Sequence, residues 1–180
     1  RFRAMCPTCS KKWAKKNARK FEDKLSRMAT PKLLTLTLVK DKRSGFCPQI
    51  LDIFRMVNSL FHHLRYKKYR IDSWFAVVEF PNHVHIVMDS DYIPQQLIKS
   101  KWHTITGGSF IVDVRKINLP RDGPLATVRY VTKYLLKAVG FSPDVHQDTL
   151  NGHSFPIKTN WTYDELKGVH LVQNSKGTPT

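Results

Sequence analysis

The sequence predicts an α+β fold: a central antiparallel sheet of about five strands with flanking helices, plus a basic helical arm ahead of it. Two observations carry that expectation. Short, alternating, β-prone runs are separated by tight turns or by amphipathic stretches in the order β-α-β-β-α-β-α, the pattern of hairpin-linked strands and not of a doubly wound sheet. The charge is also uneven. Residues 1–43 hold 14 Lys/Arg against 3 Asp/Glu, a balance of +11 out of a total of +16. This separates a basic arm, residues 1–30, from a body at 31–140 and a loop-rich extension at 141–180.

The elements follow in order. Ser10 reads as the N-cap of a helix running to about Met28, with Trp13, Phe21, Leu25 and Met28 recurring at helical spacing and Lys/Arg on the other side. Leu33 to Val39 alternates Leu with Thr and reads as a strand. After a loop at 41–48, Ile50 to Tyr66 returns apolar residues on one helical face. Ser73 to Phe80 and His83 to Asp89 are strands joined by a tight turn at Pro81-Asn82. A short helix from Ile93 to Ile105, Gly107-Gly108 and a strand from Ser109 to Ile117 come next. Asp122-Gly123-Pro124 opens a further helix that Gly140 closes. Beyond it the periodicity fades, leaving room for one short hairpin.

Composition narrows the function classes. Thirty Lys+Arg against 14 Asp+Glu and a pI near 10.0 favour an anionic partner, nucleic acid first. No apolar run approaches the roughly 18 residues of a membrane span, so a membrane partner is not expected. Three cysteines do not make a secreted disulfide framework, and the expected setting is the cytoplasm.

The chemistry concentrates in two places. In Phe80-Pro81-Asn82-His83-Val84-His85-Ile86-Val87-Met88, residues at i and i+2 of a strand share a face. His83 and His85 therefore point one way, about 7 Å apart, and can ligate one divalent cation. Glu79 joins them as a third ligand if the connecting loop has three residues. A two-residue loop turns it to the far face. Asp89 and His103 are the substitutes. The second place is Arg129-Tyr130-Val131-Thr132-Lys133-Tyr134-Leu135-Leu136-Lys137. On a helical wheel Tyr130, Lys133, Tyr134 and Lys137 fall within a stripe of roughly 100°, opposite the apolar face. Ordinary amphipathic patterning accounts for the lysines there and less well for both tyrosines. A phenol of pKa about 10 needs a neighbouring cation or base to act as a nucleophile, and Lys133 or Lys137 is placed to help it.

His83-Val84-His85, with Tyr130-Val131-Thr132-Lys133 and Tyr134-Leu135-Leu136-Lys137, resembles the HUH endonucleases, and the doubled Tyr-x-x-Lys resembles the two-tyrosine rolling-circle replication initiators (Rep proteins) of phages and plasmids. Leu34-Thr35-Leu36-Thr37 is similar to their first motif. Lys101-Trp102 through Thr106-Gly107-Gly108-Ser109-Phe110 to Asp113-Val114-Arg115 is similar to Rep segments as well. The resemblance covers about residues 33–139 and implies an HUH/RRM-like fold. It also implies sequence-specific cleavage of single-stranded origin DNA, hairpin included, leaving a 5′-phosphotyrosine adduct and a free 3′-hydroxyl. Tyr130 and Tyr134 would be the nucleophiles, Mn²⁺ or Mg²⁺ the cofactor, and host replication machinery or a helicase the partner, on a phage, plasmid or other mobile element of a prokaryotic host. Pro81-Asn82-His83-Val84-His85 equally resembles the single-tyrosine transposases, which tend to draw their third ligand from the tyrosine helix. A non-catalytic single-strand-binding module is the reading from another class.

Around this centre, Arg65-Tyr66-Lys67-Lys68-Tyr69-Arg70 interleaves cations with aromatics, as single strands require, although cations at a helix C-terminus have the same pattern. Trp102, Trp161 and Arg129 are further DNA-contact candidates, and Trp74 is expected in the core. Cys6-Pro7-Thr8-Cys9 is either half of a Zn²⁺ knuckle, with Cys47 or a histidine completing it, or a pair of free thiols.

Overall fold

A computed structural model describes residues 7–43, 45, 47–79, 82–117 and 172–175. The helix expected at 124–140, with Arg129, Tyr130, Lys133, Tyr134 and Lys137, lies outside them, as do Cys6 and Trp161.

The architecture is α+β, with one open antiparallel sheet and flanking helices. The elements are α1 (Pro7–Ser26), β1 (Pro31–Thr37), a 3₁₀ turn (Pro48–Asp52) leading into α2 (Ile53–Tyr66), β2 (Ile71–Glu79), β3 (His83–Ser90), α3 (Gln95–Thr106), β4 (Val112–Lys116) and β5 (Val172–Asn174). The sheet order is β4-β1-β3-β2-β5, and every neighbouring pair is antiparallel. β3 therefore sits in the middle, between the strand it follows in the hairpin and the first strand of the chain.

Period-2 alternation divides the strands between two faces. One face presents Leu34, Leu36, Trp74, Ala76, Val78, Val84, Ile86, Met88 and Val112 to the apolar sides of α2 and α3, forming the larger core. Phe61 of α2 meets Trp74 edge-on at 5.2 Å between ring centres, so Trp74 is a core residue. On the other face Leu33, Phe75, Val77 and Val87 lie under Phe21 and Leu25 of α1 and Met28 just beyond it. The Phe21 ring stacks on Phe75 at 4.2 Å and 9°. Burying each of these helix side chains is worth about 1.5–3 kcal/mol.

The structure departs from the sequence reading in three places. α1 begins at Pro7 and not after Ser10: proline at a first helical position needs no amide partner, and residues 9–27 contain no β-branched side chain to oppose the helix. The described part of the C-terminal segment is an edge strand, with Val172, Gln173 and Asn174 opposite Val77, Ala76 and Phe75. Ser175 holds it there: its amide donates to the Trp74 carbonyl at 2.9 Å, its hydroxyl accepts from the Trp74 amide at 3.0 Å, and Lys24 Nζ donates to both its carbonyl (2.8 Å) and hydroxyl (2.7 Å) oxygens. Finally, α1 is a packed cover for the sheet, and it keeps Lys12, Lys16, Arg19 and Lys20 exposed on its outer side.

The end of the sheet away from the hairpin is fixed by Asp89. Its carboxylate accepts from the Ala29 and Thr30 amides at 3.1 and 2.9 Å and from the Thr30 hydroxyl at 3.0 Å. Burial alone would push this carboxyl up. The amide and hydroxyl donors, with Arg70 nearby, outweigh it and hold the group below the ordinary aspartate value.

Candidate active site

The hairpin between β2 and β3 places Glu79 directly opposite His83, which leaves residues 80–82 as a three-residue connection. Cross-strand partners share a face, so Glu79, His83 and His85 all point to the α1 side of the sheet. Asn82 fixes the turn against the neighbouring strand: its carbonyl accepts from the Leu38 amide at 2.8 Å, and its side-chain amide donates to the Leu38 carbonyl.

β1 supplies the other half of the arrangement. Thr37 pairs with His83 and Thr35 with His85. Thr37 Oγ1 is 3.0 Å from His83 Nδ1, and Thr35 Oγ1 is 3.2 Å from His85 Nδ1. Both imidazoles are thus held through the same nitrogen by hydroxyls on one rigid strand. The rings lie 6.4 Å apart, centre to centre, with planes inclined at 36°. His85 Nε2 is 2.6 Å from Glu79 Oε2, with the His85 side chain 8% and the Glu79 side chain 14% exposed. A contact that short between a ring nitrogen and a carboxylate oxygen needs a proton between them, so Nε2–H donates to Glu79.

Trp102 is corrected by the structure. It is fully buried, and its indole N–H donates to the Thr37 carbonyl at 3.0 Å. A ring with no exposed face cannot stack on a base. Its effect here is to hold the backbone of the threonine that orients His83. The Trp102 carbonyl in turn accepts from Thr106 Oγ1 at 2.7 Å, and that hydroxyl accepts from the Ser109 amide at 3.0 Å.

The basic-aromatic segment divides. Arg65 donates through Nε and a terminal nitrogen to the Ile71 carbonyl, and Tyr69 packs against the larger core. Arg70 is engaged by Asp72 and Asp91, which raise its pKa, and it reaches Thr30 at 3.1 Å. Each of these three residues thus has a partner within the fold. Tyr66, Lys67 and Lys68 stay exposed, Tyr66 by 74%. They precede the start of β2, about 25 Å along that strand from Glu79, and follow a helix on the opposite face from the histidines.

The substitute ligands do not join the cluster. Asp89 serves the Ala29–Thr30 turn, and His103 is exposed on α3. Cys47 is fully buried with its thiol donating to Gln49 Oε1, and burial pushes its pKa up. It is a core residue; the backbone of Cys9 lies in the first turn of α1.

Thr35 and Thr37 are the residues that sequence reasoning missed. The alternation of Leu34-Thr35-Leu36-Thr37 marks both as one face of a strand, but only the β1–β3 pairing reveals which histidines they meet.

No protein-family model matches the chain, and no curated protein matches it either. Among solved structures, one of a REP-associated tyrosine transposase bound to a REP hairpin is similar at 22% identity, with a TM-score of 0.38, over 75% of this chain and 86% of that one.

Proposed function

We propose that the protein is an HUH-type endonuclease of single-stranded DNA that forms a covalent tyrosine adduct. The observation that carries the reading is the row on the α1 side of the sheet: Glu79 opposite His83, His85 bonded to Glu79, and both imidazoles held at Nδ1 by threonines. Among the described residues, no three His, Cys, Asp or Glu side chains yet stand as a metal cage. The donor set nonetheless fits a divalent cation. Two imidazoles and a carboxylate are ligands for Mn²⁺ or Mg²⁺, with imidazole tilting affinity toward Mn²⁺. With a cation in place, each ring would donate Nδ1–H to its threonine hydroxyl and present Nε2 as the ligating nitrogen. The proton now shared by His85 and Glu79 lies where a cation would replace it. Bound there, a cation would polarise a non-bridging phosphate oxygen.

The rest of the chemistry is assigned to Tyr130 and Tyr134. A tyrosine oxygen attacks phosphorus, the bond from phosphorus to the 3′ oxygen breaks, and that oxygen takes up a proton. The products are a 5′-phosphotyrosine and a 3′-hydroxyl. Lys133 and Lys137 assist by stabilising the phenolate or the phosphate charge. Arg129, Tyr66, Lys67 and Lys68 contact the DNA backbone and bases. The doubled Tyr-x-x-Lys supports a rolling-circle initiator over a single-tyrosine transposase, since two tyrosines can alternate when a displaced strand is recaptured. The deciding experiment incubates the protein with single-stranded DNA and Mn²⁺ and looks for an adduct that survives SDS. Loss of the adduct with EDTA and in the Tyr130→Phe/Tyr134→Phe double variant supports the reading. DNA binding without an adduct on any candidate hairpin refutes it and leaves a binding module.

A further inference from the structure

A second surface lies on the α3 side of the sheet, the face opposite the histidine row, beyond the β4 edge. The Thr37 amide donates to the Ile111 carbonyl at 3.1 Å, so the backbone ladder runs from His83 through Thr37 to Ile111, about 10 Å across two strand spacings. Just before Ile111 the chain exposes Phe110, 54% accessible, and Ile111 itself is 58% accessible. Such large apolar side chains exposed at the edge of the sheet need a partner or a reason.

Phe110 closes one end of a groove of about 270 Å³ whose other walls are Gln96, Lys99, Ser100, His103 and Thr104. These five recur at helical spacing along the outer side of α3, while Ile98 and Trp102 face the core. Lys99 Nζ lies 5.5 Å from the Phe110 ring centre, a cation against an aromatic face. From Tyr92 to Val112 the sequence has Lys99, Lys101 and His103 and no Asp or Glu. The groove is smaller than the roughly 300–1,000 Å³ of small-molecule pockets and is open, which suits one unit of a polymer. The loop carrying Phe110 is not loose. Gly107 ends α3 at φ 70°, the Gly108 amide returns to the His103 carbonyl, and Ser109 Oγ accepts from the Val39 amide at 2.9 Å.

We infer that this groove is a subsite for single-stranded nucleic acid that passes round the β4 edge from the histidine face, with one base stacked on Phe110 and its phosphate held by Lys99 and His103. An acidic peptide would use the cations but has no need of the exposed ring. A base needs both, and the amide and hydroxyl edges of Gln96, Ser100 and Thr104 complete a lining that can meet its polar rim. The inference rests on the single-stranded substrate proposed above and adds where the strand continues.

The test is a binding measurement in EDTA, so that it stands apart from cleavage. Fluorescence anisotropy compares a labelled oligothymidylate with an abasic strand of the same length, using the full chain. The wild-type protein binds the base-bearing strand more tightly. Phe110→Ala loses about 5- to 100-fold on that strand and leaves the abasic strand unchanged. Phe110→Tyr keeps the wild-type preference, and Lys99→Ala weakens both strands alike. Because Phe110 is more than half exposed, an unchanged melting temperature for Phe110→Ala is expected alongside. Equal binding of the two strands by the wild type, an unaffected Phe110→Ala, or equal competition by polyglutamate overturns the inference. Failure to form the tyrosine adduct leaves this result untouched and removes only the nuclease reading.

Discussion

One face of the sheet contains two regions on the same strands with the same alternation. Toward Pro31 its residues are Leu33, Phe75 and Val87, closed off by Phe21 and Leu25 of α1 and by Met28 just beyond it. Toward Thr37 they are Thr35, Thr37, Glu79, His83 and His85, linked by hydrogen bonds instead of apolar contact. Val77, opposite His85, marks the boundary. The difference shows how the scaffold divides its work. Apolar burial under α1 anchors the strands, and hydrogen bonds between those strands hold the polar row in one geometry.

The sharpest way to break the comparison is to remove the polar row. His83→Ala, His85→Ala and Glu79→Gln should each reduce adduct formation by about 10³-fold or more, since a metal's charge stabilisation is worth several kcal/mol. Adduct yield on an SDS gel reads this, and full activity in all three would sink the assignment.

The apolar half gives the next effect. Phe21→Ala should cost about 3–5 kcal/mol in urea unfolding by opening a cavity against Phe75. A cost under about 1 kcal/mol would mean that α1 does not cover the sheet in solution.

The threonines sharpen the contrast. Thr37→Val and Thr35→Val keep the shape of the strand and remove the Nδ1 partner. Calorimetric Mn²⁺ affinity should fall about 10- to 100-fold with little loss of stability. An unchanged affinity would make the hydroxyls bystanders.

At the Pro31 end, Asp89→Asn should cost about 1–3 kcal/mol at neutral pH by removing a charged acceptor from two amides. The sign of its pH dependence follows from a folded-state value below the ordinary one. The stabilisation is complete above the unfolded aspartate pKa of about 4 and is lost as pH falls through the lower folded value. Wild type and variant should therefore converge in acid. Parallel unfolding curves across pH would contradict the placement. The smallest effect is expected from Lys67→Ala, which should weaken DNA binding slightly and lower the salt slope by about one unit. Adduct yield per bound molecule should not change, because Lys67 is remote from the histidines.

Local information in the sequence was enough for the alternation of β1, β2 and β3, the apolar side of α2, the shared face of His83 and His85, the Phe21-Leu25-Met28 stripe and the α+β class. Each depends on residues a few positions apart, whose side-chain directions the backbone period sets by itself. Tertiary structure decided the rest. Whether Glu79 met His83 depended on one residue of loop length, and the roles of Thr35 and Thr37 depended on a crossover that puts β1 beside β3. Trp102 looked like a stacking platform until its helix face was turned inward, and only the fold brings Asp72 and Asp91 to Arg70. β5 finds its partner about 100 residues away along the chain. The physical reason is the same in each case. Period and propensity fix which way a side chain points, but what stands opposite is set by chain closure and burial summed over the whole molecule.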